Sequence, residues 1–140
     1  RVALKPGKPV FFGRLGDALL TGLPGNPLSA YTGFQLFAAR QIAAMLGFSG
    51  AEMSVEKAVA GFDWKRKPGR AEYLPVRIVA HDASGRPIVG RLGHGGSASL
   101  MPLSQADGVA VLDASSTEGA CGTPVSWFPF CRHEFAWRSI

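Results

Sequence analysis

The chain has 140 residues, 46% of them hydrophobic, and a formal net charge of +5. That length suits one ordinary domain or two small ones, and no apolar run is long enough to span a membrane as a helix. The charge is uneven. Residues 1–50 hold five Lys/Arg against one acid, Asp17, while 51–140 hold ten against nine, a balance that favours a small anionic ligand over a broad nucleic-acid surface.

In chain order, the first feature is Lys5-Pro-Gly-Lys-Pro. Its prolines restrict the backbone, so Lys5 and Lys8 are held near one place. An ammonium group binds oxyanions as a compact point charge. Strands are predicted at Val10–Leu15 and Ala18–Thr21, around a Gly16-Asp17 turn. Next comes Gly22-Leu-Pro-Gly-Asn-Pro-Leu-Ser. Asn26 suits an N-cap and Pro27 the first helical position. Gly25 permits a sharp turn and close approach of a ligand, and Ser29 adds a hydroxyl in the first turn. The product is a helix start with free N–H groups and a positive dipole end, suited to an oxyanion.

The helix is predicted from Leu28 to about Leu46. Leu28, Tyr31, Phe34, Phe37 or Ala38, Ile42 and Met45 share one face, which reads as core or dimer contact. Gly47 is the expected C-cap. After Gly50 the character changes. No helix is predicted, and Gly-rich turns separate candidate strands at 53–60, 71–81, 86–92, 98–103, 108–113 and 123–130. In 71–81, Leu74, Val76, Ile78 and Ala80 are the expected buried face. Val109–Leu112 reads as buried on both sides. The fold class is therefore α+β: the end of an α/β unit over 1–50, then a small all-β, barrel-like domain over 51–140.

Lys65-Arg66-Lys67 and Arg70 form a local basic cluster, which on residue type alone is also a solvated turn. Arg70 can grip an oxyanion with its forked donors. Ser97 follows Gly95-Gly96, whose backbone amides can point at a ligand. Cys121 and Cys131 have no zinc-site spacing. With no export signal they are expected to be reduced, cytoplasmic, and in the core or an edge strand. His81, His94 and His133 are far apart, and no metal site is predicted.

Together, Lys5-Pro-Gly-Lys-Pro-Val-Phe-Phe-Gly and Gly22-Leu-Pro-Gly-Asn-Pro-Leu-Ser resemble the molybdopterin molybdenumtransferase family (MoeA in bacteria, the E domain of gephyrin in animals). Lys67-Pro-Gly-Arg70 and His94-Gly-Gly-Ser97 resemble two loops of that family's small C-terminal β domain. The resemblance covers 4–48 strongly and 62–130 more loosely. It implies insertion of molybdate into adenylated molybdopterin with release of AMP. It assigns Lys5 and Lys8 to molybdate and the pterin phosphate. Gly25, Asn26, Pro27, Ser29, Arg70 and Ser97 become substrate-binding positions. It also implies a homodimer, no membrane or nucleic-acid partner, and Mg²⁺ ligands upstream of residue 1. The chain, which begins at Arg1, is expected to be a C-terminal portion that does not turn over alone. Two other readings compete. One is a non-catalytic molybdopterin- or molybdate-binding module, or a gephyrin-like scaffold. The other is a basic barrel that binds nucleic acid, for which Trp64 beside Lys65-Arg66-Lys67 is the one hint.

Overall fold

A computed structural model of the chain describes residues 4–5, 10–48, 55–93 and 100–130. A two-residue strand β1 (Leu4–Lys5) comes first. It is followed by the hairpin β2 (Phe11–Leu15) and β3 (Ala18–Gly22). Gly16 has φ 57° and Asp17 does not have positive φ, the combination that a II′ turn requires. A long helical stretch follows: α1 (Pro27–Gly33), a π-helical turn at Phe34–Ala38, and α2 (Ala39–Met45). It begins at the Asn26 cap, with Pro27 in the first turn. It ends in a Schellman motif, in which Gly47 has φ 78°, Phe48 N–H donates to Ala43 at 2.9 Å and Gly47 N–H to Ala44 at 3.1 Å.

The helix rests on the hairpin through Phe12 and Phe37, whose rings meet edge-on at 5.5 Å, and through a Thr21 hydroxyl that donates to Gln41. Leu28 is buried, but Phe34, Ile42 and Met45 of the predicted stripe are 40%, 49% and 67% exposed. The shared face is real, and half of its positions are exposed among the described residues.

The remaining elements are β4 (Glu56–Ala60), β5 (Trp64–Lys65), β6 (Ala71–His81), β7 (Pro87–Arg91), α3 (Leu100–Ser104), β8 (Gly108–Leu112), β9 (Glu118–Gly119) and β10 (Pro124–Pro129). Five of these strands close into a barrel. β6 pairs with β7, β7 with β4, β4 with β10, β10 with β8, and β8 back with β6. All these pairs are antiparallel except β4–β7. Closure is possible because β6 is long: Glu72–Val76 pairs with β8, and Val76–His81 with β7. A bulge between Ile78 and Ala80 turns β6 away. The Asp107 carboxylate pins that bend by accepting from the Ile78 amide at 2.9 Å. β5 and β9 form a separate two-stranded ribbon.

Alternate residues point into the barrel. The interior holds Ala58, Ala60, Leu74, Val76, Val89, Ala110, Leu112, Val125 and Trp127, with Trp64 at its margin. Ala110 lies opposite Trp127 in register, so a small residue makes room for the indole. The barrel meets the helix where Phe130 packs edge-on against Tyr31 at 4.8 Å.

The strand expectations at 71–81, 86–92, 108–113 and 123–130 match β6, β7, β8 and β10 closely, and 53–60 matches β4 from Glu56 onward. Three points are corrected. Leu100–Ser104 form the helix α3, where a strand is expected over 98–103 and no helix is expected after Gly50. Ile78 and Ala80 are exposed: beyond Val76, β6 no longer pairs with β8 and runs on beside β7 alone. Cys121 is exposed in a turn rather than buried in a strand. The expected domain boundary near 48–52 falls largely outside the described residues, as does Cys131. Among the described residues no helix is long and apolar enough to cross a membrane.

Candidate functional site

Two turns carry the described candidate residues. At the first, the Asn26 side chain accepts from the Ser29 amide at 3.2 Å and from the Ser29 hydroxyl at 3.3 Å. Ser29 is 3% exposed, so in this arrangement its hydroxyl supports the cap and does not face solvent. Gly25 has no positive φ. A methyl group there would meet nothing within 4 Å, leaving open space directly before the helix. Pro27 contributes its fixed φ and no N–H.

The second turn is Lys65–Arg70, which lines an open depression of about 470 Å³. Its lining comprises Lys65, Arg66, Lys67, Pro68, Gly69 and Arg70, four cations with no acid among them. Gly69 has φ 130°, a conformation that L side chains rarely adopt. The backbone of this turn is tied to the segment after β8: Arg66 N–H donates to Thr117 at 2.7 Å and Gly69 N–H to Ala114 at 3.1 Å. Arg70 itself is exposed.

The parallel pairing of β1 with β6 sets Leu4 beside Ala71 and Lys5 beside Glu72. The backbone of Lys5 therefore runs next to the residues that follow Arg70, although the two are 65 positions apart in sequence. The Asn26 turn is not tied to the Arg70 loop by any strand pairing among the described residues. Lys8, His94 and Ser97 lie outside those residues.

Trp64 is 9% exposed. Its indole N–H donates to the Ser116 hydroxyl at 3.1 Å, and its ring lies over Gly119, where a methyl group would run into it. A buried, hydrogen-bonded ring cannot serve as a stacking platform for bases, which removes the one hint of nucleic-acid binding. Trp127 is a core residue, while Phe128 stacks with Tyr73 at 6.3 Å. Among the described residues no three of His, Cys, Asp and Glu stand together to hold a metal. These residues do not fit a magnesium site.

Residues 57–130, more than half of the chain, match the model of the MoeA C-terminal region (domain IV). The chain belongs to this family. It is 41% identical over 76 residues to the molybdopterin molybdenumtransferase of Haemophilus influenzae, covering 47% of this chain and 19% of that protein. It is 29% identical over 133 residues to the molybdenum cofactor synthesis protein cinnamon of Drosophila melanogaster, covering 92% of this chain and 21% of that protein. The chain thus spans about a fifth of the length of these relatives. Its fold is that of a molybdopterin biosynthesis MoeA protein from Pyrococcus horikoshii, with a TM-score of 0.73 at 24% identity over 91% of this chain and 30% of that one. The five-stranded closed barrel is therefore the MoeA domain IV barrel, and the Lys67–Arg70 turn is one of its loops.

Proposed function

We propose that this chain acts in molybdenum cofactor biosynthesis, as the C-terminal, anion-holding portion of a molybdopterin molybdenumtransferase. The substrates are molybdate and adenylated molybdopterin, and AMP leaves as molybdate enters the dithiolene. The observation that carries this reading is the cationic Lys65–Arg70 loop, held against the barrel and flanked by the strand that bears Lys5. Both substrates are anions, and a reaction that joins them needs positive charge and oriented donors in one cleft.

In this reading residues 1–50 complete the α/β domain that holds the pterin nucleotide, and 51–140 closes over it. Lys5 and Lys8 neutralise molybdate and the pterin phosphate as point charges. Arg70 grips an oxygen pair with its fork. The turn at Gly25, Asn26, Pro27 and Ser29 presents a helix N-terminus, and Ser97 adds a donor from its glycine-flanked loop. Magnesium belongs to residues outside this chain. The apolar surface at Ile42, Met45, Leu46 and Phe48, each 49–69% exposed, supports packing against further chain or a second copy, as in a homodimer. A cytoplasmic location fits the free, exposed Cys121.

The test is calorimetric titration of molybdate, with sulfate as control, into the folded chain and its Lys8→Ala, Arg70→Ala double variant. Molybdate-selective binding that weakens at least about tenfold in the variant is expected, since each lost charge-assisted contact is worth roughly a factor of ten. Equal binding of sulfate, or binding unchanged in the variant, removes the anion-cleft reading.

A further inference from the structure

Arg66 is not among the residues that residue type or motif marks as a ligand. Its guanidinium nevertheless makes the largest set of bonds in the loop. One Nη donates to the Arg70 carbonyl at 2.7 Å. The other donates to the Leu112 carbonyl at 3.2 Å and also to the Asp113 carbonyl. We propose that Arg66 is the positioning residue of the anion loop, setting where Arg70 stands by stapling its carbonyl to the end of β8. The inference rests on the reading of Arg70 as an anion donor.

Three observations carry it. The side chains of the loop tip give it no core packing: Lys67, Pro68, Gly69 and Arg70 are all exposed, and Gly69 sits at positive φ. Beyond the Lys65–Glu118 pairing at its start, its anchors land on one short segment, 112–117, so the tip of the loop follows the end of the barrel through those bonds. The acceptors of Arg66 are neutral carbonyls, so its charge is not cancelled by them and adds to the field of Lys65, Lys67 and Arg70. Arg66 Nε is buried without a hydrogen-bond partner. That desolvation cost is one a freely solvated arginine avoids, and here the remaining bonds offset it. A planar fork can serve separate carbonyls at once; a lysine ammonium cannot reproduce that geometry.

The experiment uses the 140-residue chain and its Arg66→Gln, Arg66→Lys, Arg70→Gln and Arg66→Gln/Arg70→Gln variants. Amide exchange is followed at Gly69, with the Val76, Val89 and Val125 amides as folding controls, and molybdate is titrated against sulfate. Arg66→Gln is expected to speed exchange at Gly69 and to weaken molybdate binding by about tenfold, with the core amides unchanged. Arg66→Lys keeps the charge and should recover only part of the loss. In the Arg70→Gln background the further loss from Arg66→Gln should fall below about twofold, because residues acting through one another are not additive. Unchanged Gly69 protection in Arg66→Gln, or the same fold loss in both backgrounds, overturns the proposal. If the wild-type chain binds no molybdate, the anion-site reading fails for this chain, and the exchange at Gly69 alone decides whether Arg66 positions the loop.

Discussion

The barrel over 55–130 and the hairpin with its helix over 10–48 are both rich in apolar residues, yet they differ in what they do with them. The barrel buries Val76 and Val89 completely and leaves Trp127 3% exposed. Its five strands close on themselves, so no edge in the ring lacks a partner. The hairpin leaves Phe11, Phe12 and Leu15 of β2 and Leu19 and Leu20 of β3 exposed on both of its faces, and among the described residues β2 pairs only with β3. A two-stranded hairpin is marginal in water, and contiguous exposed apolar surface marks a face made to be covered. Apolar content alone therefore says little about self-sufficiency; closure decides it. Each region carries one of the two candidate turns, the closed barrel that of Arg70 and the less supported unit that of Asn26.

The comparison predicts its largest effect in the core. Trp127→Ala removes the biggest interior side chain, and such changes cost about 3–5 kcal/mol, which is enough to unfold a small barrel. Ile42→Ser, on the exposed helix face, should change stability by no more than about 0.5 kcal/mol and should improve solubility. Urea unfolding of the two variants checks this. A cost at Ile42 approaching that at Trp127 would mean that the helix face is already covered in this chain, by association, and would break the contrast.

A second pair of substitutions isolates rigidity from burial. Neither Gly22 nor Gly108 has positive φ, so for an added methyl only space matters. At Gly108 it would run into the Phe128 carbonyl oxygen and lie 2.8 Å from the Trp127 ring, both fixed by the β8–β10 pairing. Overpacking of this kind costs about 1–3 kcal/mol. At Gly22 it would run into the Phe11 ring, but that ring is 61% exposed and can swing away. Gly22→Ala should stay within about 1 kcal/mol of the parent. Thermal midpoints of the two variants measure the difference. Equal losses would mean that the hairpin is as firmly held as the barrel.

Local signals made much of this legible in the sequence. The Asn26 cap, the Gly16 and Gly47 positions and the strands β6, β8 and β10 depend on residues within a few positions of each other. The misreadings involve longer range. Leu100–Ser104 is too short for either period to decide between strand and helix. β5 and β9 are two residues each and exist only because Trp64 pairs with Gly119 across the chain. Ile78 looked buried because alternation does not announce that β8 stops pairing with β6 at Val76. At the site, the anion-binding types at Arg70 and Asn26 could be read directly. Arg66 could not, because its acceptors at Leu112 and Asp113 are brought to it by barrel closure.

The smallest effect expected concerns pH and reports on the barrel alone. Burial first, and the Asp113 carboxylate second, raise the Tyr73 phenol above its ordinary value of 10.0. The folded state therefore keeps a proton that the unfolded state gives up. Below about pH 10 both states are neutral and the contribution to stability is complete. Above it the unfolded chain ionises first, so stability falls as pH rises towards the folded value. Tyr73→Phe has no proton to lose. Its unfolding midpoint, relative to the parent's, should rise between about pH 9 and pH 11, whereas Asp113→Asn, removing only the second cause, should reproduce part of that change. The other ionisable groups are common to parent and variants and cancel in the difference. A Tyr73→Phe curve parallel to the parent's would place the hydroxyl in water, and would show the outer wall of the barrel at β6 and β10 to be as loosely packed as the hairpin.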